Sequence, residues 1–241
     1  MTHWHAKKRP ELTEEHAAER LLWCQCRAHW DVARWRKYFW SDEYSAEWGW
    51  GKLIEWVFGD RKDKWKPSMV TTYKKGKDLC VMVWAGFWGG GKTPLYIMDR
   101  DFESKKHGYS ARSYIEVLDA RVMEYCTEDL IFMHDNASIH TAKIVKEWFE
   151  DRAINTTDWP PFSPDLNPIE NAWHAMKCLA LKMFPEIMNG SGESEEDIQR
   201  VEQCLIAAWD ALPESLFNSL IESMLQRISD CIKADGWHTK Y

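Results

Sequence analysis

Three acids, Asp42, Asp135 and Glu170, sit where a chain of 241 residues could use them together. Asp42 closes the run Tyr38-Phe39-Trp40-Ser41. Asp135 closes Leu130-Ile131-Phe132-Met133-His134. Each run reads as a short buried strand ending in acid. Side chains alternate along a strand, so Tyr38, Trp40 and Asp42 share one face, as do Ile131, Met133 and Asp135. If the two strands are neighbours, both carboxylates lie side by side. Glu170 falls in the first turn of a helix opened by Asn167-Pro168, with His174 and Lys177 on its own face. Ile169, Trp173, Met176 and Ala180 form a separate apolar face.

Close carboxylates repel at neutral pH unless one is protonated or a cation lies between them. Mg²⁺ takes oxygen ligands, commonly one or two carboxylates completed by water and phosphate. Two ions about 3.5–4 Å apart can activate an attacking oxygen and stabilise a leaving one. Such a site transfers phosphoryl groups without a Ser, Cys or His nucleophile. Plainer readings exist for each acid. Asp is common where strands turn, Asp42 could pair with a nearby Lys, and Asn167-x-x-Glu170 is a capping-box signature.

Two other motifs suggest different chemistry. Gly86-Phe87-Trp88-Gly89-Gly90-Gly91-Lys92-Thr93 satisfies the phosphate-binding-loop pattern, which would make Lys92 a nucleotide contact. That pattern needs a helix directly after Lys-Thr. Pro94-Leu95-Tyr96-Ile97-Met98 follows instead, and a glycine hairpin between two strands explains the run better. His134, Asp135 and His140 could suggest zinc, but a hydrolytic zinc helix wants its two His four apart. A satisfied or exposed histidine is the simpler account.

The elements that must position the acids can be read around them. Residues 10–36 are helical, with Thr13 as N-cap and Ala17, Leu21 and Leu22 at helical spacing. Leu79–Phe87 is an unbroken apolar run that fits a central strand, and Pro94–Met98 another. Ser110–Tyr125 and Ile139–Arg152 read as helices, the latter with Ala142, Val145 and Phe149 inward. Ile154–Thr157 reads as a short strand. Asn189–Ser194 is a flexible break, followed by two helices split at Pro213. Strands alternating with helices give an α/β class with a mixed sheet.

With 45 % apolar residues and 16 Trp, the chain can build a core without disulfides or structural metal. Several Trp lie at helical spacing beside Leu and Val, so packing explains most of them better than base stacking. The seven Cys form no ligand framework and read as buried free thiols in a reducing compartment. No signal peptide or spanning apolar run is evident, so a soluble, intracellular protein with no membrane partner is expected. Lys7-Lys8-Arg9 is too short to be read as a nuclear signal. The net charge of −7 disfavours a dedicated duplex binder. It weighs less against a nuclease core that needs carboxylates and leaves the grip on DNA to a partner domain.

The local wording around the acids resembles one family. Trp40-Ser41-Asp42-Glu43, His134-Asp135-Asn136-Ala137 with His140, and Ser163-Pro164-Asp165-Leu166-Asn167-Pro168-Ile169-Glu170-Asn171 with Trp173 resemble the three acid-bearing segments of mariner/Tc transposases. The 34 residues between Asp135 and Glu170 match the Tc branch that ends in Glu. Leu12–Trp35 is similar to the link before the family's core. Gly236, Thr239 and Tyr241 resemble its closing residues, so a complete C-terminus is expected.

The resemblance implies a ribonuclease H-like fold, its mixed sheet flanked by helices, with helical appendages at both ends. Residues 1–36 would be the linker, 37–188 the catalytic domain, and 189–241 the break and closing helices. It implies two Mg²⁺ ions, replaceable by Mn²⁺, held by Asp42, Asp135 and Glu170 as metal ligands and catalytic residues. Asn136, His140 and Asn171 would support the ligands or position DNA; local turn and cap chemistry is the alternative. The partners would be transposon ends and a TA target, with a homodimer and a nuclear location. The reaction would be hydrolytic cutting at element ends, then attack of the freed 3′-hydroxyl on target DNA.

One departure stands out. The family carries paired helix-turn-helix domains ahead of its core, and about 40 residues precede Asp42, too few for even one such domain plus a linker. A truncated copy, a fragment, or a host-adopted remnant acting as a non-catalytic interaction module is therefore a second expectation.

Overall fold

The computed structural model of the chain describes residues 11–47, 80–104, 107–186 and 194–241. The Lys7-Lys8-Arg9 cluster, Leu79 and nearly all of the Asn189–Ser194 break lie outside them. Helix α1 (Glu14–Arg27) opens as expected on Thr13, whose hydroxyl accepts the His16 N–H while the His16 ring accepts the Thr13 N–H. Its inward stripe is Ala17, Arg20, Trp23 and Cys24, whereas Leu22 is exposed. The short α2 (Val32–Trp35) is capped by Asp31.

The strands are β1 (Tyr38–Glu47), β2 (Cys80–Trp88), β3 (Gly91–Lys92), β4 (Tyr96–Ile97) and β5 (Ile131–Met133). The helices are α3 (Ala111–Val117), α4 (Met123–Tyr125), α5 (Lys143–Asp151), α6 (Ile169–Met183), α7 (Glu195–Asp210), α8 (Glu214–Glu222) and α9 (Met224–Lys233). A π-helical turn, Leu118–Val122, joins α3 to α4, so the helix expected over Ser110–Tyr125 is present but interrupted.

The sheet order is β3-β2-β1-β5, with β4 also on β2. β1 is antiparallel to β2 and parallel to β5, which makes the sheet mixed, as expected. β1 does not stop at Asp42. Its pairing with β2 covers Trp40 to Glu47, and this long antiparallel partner carries the strand five residues past the acid. The Ile154–Thr157 strand reduces to a single parallel bridge between Thr156 and Phe132. The helix expected from Ile139 starts at Lys143, because 139–142 form turns. The C-terminal region holds three helices, not two. A second break falls at Ser223, whose hydroxyl donates to Leu220 O (2.6 Å) in competition with the helical ladder.

Strand alternation sends side chains into two cores. Tyr38, Trp40, Val83, Ala85, Phe87 and Met133 pack with α1, α2 and α6–α9. Phe39, Trp84 and Phe132 pack on the other face with α3, the π turn and α5. Trp23, Trp35, Trp40, Trp84, Trp148, Trp159, Trp173 and Trp209 are buried, as the packing expectation requires. Cys24, Cys204 and Cys231 are buried free thiols, but Cys26 and Cys178 are exposed and Cys126 half-buried, correcting the expectation that all are buried. The Cys80 side chain lies outside the described ones. Among the described residues no helix is long and apolar enough to cross a membrane.

Segments far apart in sequence close on Arg20, which is fully buried. Its Nε donates to Gly236 O (2.7 Å), and its Nη atoms reach Ser163 Oγ (2.7 Å) and both Asp165 oxygens (2.8 Å each). Asp165 also accepts from the Thr239 N–H and hydroxyl. Gly236 has φ +80°, and a Cβ there would lie 1.9 Å from Ala17 O. Only glycine permits this approach of the C-terminal segment to α1.

Candidate active site

The register of the sheet fixes two of the acids. Tyr38 pairs with Ile131, Phe39 with Phe132 and Trp40 with Met133. Two residues further on along each chain stand Asp42, still within β1, and Asp135, just past the end of β5. Ser41 ties the strands at this point, its hydroxyl donating to Met133 O (2.7 Å). The third acid comes from α6, which lays Ile169, Ala172, Trp173, Met176 and Ala180 on the same core and leaves Glu170 exposed. Asn167 joins helix to strand. Its Oδ1 accepts the Ile169 N–H (3.3 Å) and its Nδ2 donates to Asp42 Oδ2 (3.4 Å).

Asp42, Asp135 and Glu170 line one open cleft of about 520 Å³ with Asn136, Trp159, Phe162 and Asn167. They form its walls, not a closed shell. Among the described residues no three His, Cys, Asp or Glu side chains converge closely enough to hold a metal ion ready-made.

The acids feel one another. Burial pushes the Asp42 carboxyl well above its usual range, and the charges of Glu43, Glu170 and Asp135 push it further. Partial burial also pushes Asp135 up, but the His140 bond and charge and the Ala137 N–H outweigh it and hold Asp135 below the usual range. His140 Nδ1 lies 2.7 Å from Asp135 Oδ1, and its Nε2 lies 3.2 Å from Glu43. Burial works against a charge on that ring, yet the two carboxylates raise its pKa to about 10. Burial and the neighbouring His140 charge push His134 down to about 3.

The remaining expected residues have partners of their own. Asn136 donates to Trp159 O (2.7 Å) and holds the cleft loop. Asn171 accepts from Arg227, which also donates to Asp165 O, so it meets α9. The glycine run is a hairpin, as the sequence favours: Trp88 pairs with Gly91 and Phe87 with Lys92. Lys92 Nζ donates to the carbonyls of Trp209, Asp210 and Leu212 at the end of α7.

Three residues were not anticipated. Glu43 follows a site acid, and nothing in its local sequence marks a partner for it. Arg20 carries no sequence signal that sets it apart from other helix cations. Phe162 lines the cleft half exposed with φ 48°, a strained conformation for an aromatic residue. Its carbonyl is held by Arg20 (3.2 Å). The Pro-rich stretch around it was the one available signal.

Residues 98–187 match the family described as DDE superfamily endonuclease. Asp135 and Glu170 fall inside that range and Asp42 outside it. The transposable element Tcb2 transposase of Caenorhabditis briggsae is 28 % identical over 242 residues, covering 97 % of this chain and 81 % of the relative. The Tc1 transposase of Caenorhabditis elegans matches with the same identity and coverage. The fold is that of a Mos1 transposase paired-end complex with left transposon end, at TM-score 0.74 and 18 % identity over 99 % of this chain and 68 % of that one. The Mos1 catalytic domain with Raltegravir and Mg superposes at TM-score 0.64 and 18 % identity, covering 96 % of this chain and all of that one. The mixed sheet flanked by helices is thus of the ribonuclease H-like type.

Proposed function

Since the chain carries a DDE superfamily endonuclease domain and is a homologue of the Tc1/mariner transposases, we propose that it is a transposase catalytic core. It cuts DNA and transfers strands at Asp42, Asp135 and Glu170. The observation that carries this reading is the shared cleft, in which two carboxylates from neighbouring strands face a third from α6.

The donor set fits a hard divalent ion. Asp42, Asp135 and Glu170 are carboxylates, and the excess negative charge that lifts Asp42 is the field a cation would relieve. Walls instead of a closed shell suit Mg²⁺, or Mn²⁺ in its place, because such ions leave several positions to water and phosphate. Two bound ions would polarise the scissile phosphate and activate the attacking oxygen.

The chain's own residues do the rest. His140 and the Ala137 N–H hold Asp135 Oδ1 (2.7 and 2.8 Å), and the Glu43 N–H holds Asp42 Oδ1 (2.9 Å). Each aspartate therefore offers its ligand atoms from a fixed orientation. Asn167 keeps α6 and β1 in step. Asn136, bonded to Trp159 O, shapes the wall along which the DNA backbone would lie.

On this reading the catalytic unit is residues 37–188, preceded by the linker 1–36 and followed by the break and closing helices of 189–241. The partners are transposon ends and a TA target. The protein works as a homodimer in the nucleus, where that DNA lies. Support for the pairing comes from the paired-end Mos1 complex that shares the fold.

The test incubates the protein with pre-nicked transposon-end DNA and Mn²⁺. Nicking or strand transfer is expected, lost in Asp135→Asn and Glu170→Ala. A folded protein with no metal-dependent activity, indistinguishable from Asp135→Asn, would instead support a non-catalytic interaction module.

A further inference from the structure

Glu43 is adjacent to Asp42 on β1, so alternation turns it to the opposite face. There it meets His140, with a carboxylate oxygen 3.2 Å from Nε2. The other ring nitrogen is 2.7 Å from Asp135 Oδ1 and 3.1 Å from the Asp135 carbonyl. The ring has little freedom to leave this line. His140 is 3 % exposed, Tyr114 packs at 4.3 Å, and His134 stacks at 5.0 Å with planes 12° apart. Tyr114 is itself fully buried, and its hydroxyl lies 3.0 Å from His134 Nδ1. A carboxylate on one strand is thus connected through a single immobilised ring to the acid just beyond the end of the next.

We propose that Glu43 is a positioning residue for the metal site: through His140 it fixes the rotamer of Asp135, occupying Oδ1 and leaving Oδ2 to the ion. This rests on the reading of Asp135 as a metal ligand and adds a fourth acid that never touches the metal. The chemistry is that of ligand orientation. A carboxylate free to rotate must be ordered when the ion arrives, and that cost appears as lost affinity. Partners that orient ligands in this way are typically worth about 10–100-fold in metal affinity.

The experiment titrates the full chain with Mn²⁺ by calorimetry and measures the half-saturating Mn²⁺ for nicking. Glu43→Ala is expected to weaken Mn²⁺ binding roughly 10–100-fold. Nicking should then need more Mn²⁺ but recover most of its rate at saturation. Glu43→Gln keeps an oxygen at the same reach and should retain most of the affinity. Glu43→Asp keeps the charge but is one carbon too short, so it should resemble Ala. Should Glu43→Ala fail to fold, the Gln and Asp variants decide the matter between them. Mn²⁺ affinity unchanged in Ala or Asp, while Asp135→Asn abolishes binding, overturns the proposal and leaves the site reading intact. Asp135→Asn binding Mn²⁺ like the unsubstituted chain overturns the site reading, and this proposal with it.

Discussion

Arg20 and Asp165 form a two-pronged ion pair with both ends out of water. Nη1–Oδ1 and Nη2–Oδ2 are each 2.8 Å, and the side chains are 0 % and 2 % exposed. The pair fastens α1 to the loop that leads into Glu170. Losing one partner leaves the other charge buried and unpaired, so Arg20→Met should cost about 3–5 kcal/mol in urea denaturation. Arg20→Met combined with Asp165→Leu should recover part of that loss. A single variant within about 1 kcal/mol of the parent would show that the pair does not hold the loop.

Asp42 should trade stability for function. Its folded-state pKa lies well above the usual carboxylate value, with burial the main cause. The folded protein therefore binds that proton more tightly than the unfolded chain does. Stability falls as pH climbs from about 4 through the raised value. Asp42→Asn removes this penalty and should raise the melting temperature in EDTA at neutral pH. The gain should be about 1.4 kcal/mol for each tenfold rise in proton affinity that it relieves. The advantage should shrink towards pH 4, and saturating Mn²⁺ should favour the unsubstituted chain. A melting temperature lower in Asp42→Asn at neutral pH without metal would contradict the electrostatic account.

The two histidines should behave oppositely in an NMR titration. His140, raised to about 10, contributes stability that is complete below its ordinary value near 6.5 and is lost as pH rises from there to about 10. His134, lowered to about 3, stays neutral throughout. Neither ring should titrate between about pH 6 and 8, although an unperturbed histidine does. A His140 midpoint near the ordinary value would mean that Glu43 and Asp135 do not flank it as described.

Lys92 should matter to folding and not to nucleotides. It gathers three carbonyls at the end of α7, and charged hydrogen bonds of this kind contribute about 1.5–3 kcal/mol. Lys92→Met should lower the denaturation midpoint accordingly. Neither form should show ATP affinity by equilibrium dialysis. Tight ATP binding that disappears with Lys92 would restore the nucleotide reading.

Helical spacing was enough to separate Glu170 from Ile169, Trp173 and Met176, whereas the strand expected to end at Asp135 stops at Met133 and leaves that acid in the loop beyond it. What a local pattern does not contain is its partner. The end of β1 depends on β2, whose pairing continues from Trp40 to Glu47. The break at Ser223 has no Pro or Gly to announce it. Arg20 has the look of a solvated helix cation until Asp165, Gly236 and Ser163 are brought to it. Glu43 acquires its partner only when His140 folds back against β1.

The latch at Gly236 and Thr239 sets an order of events. The Asp165 loop is secured by atoms that leave the ribosome some 70 residues after Glu170, several seconds later at ordinary synthesis rates. Through that interval the nascent chain carries Arg20 and Asp165 without the Gly236 and Thr239 bonds that close around them. The loop that leads into α6 therefore reaches its final form only after the Gly236–Thr239 stretch has been made.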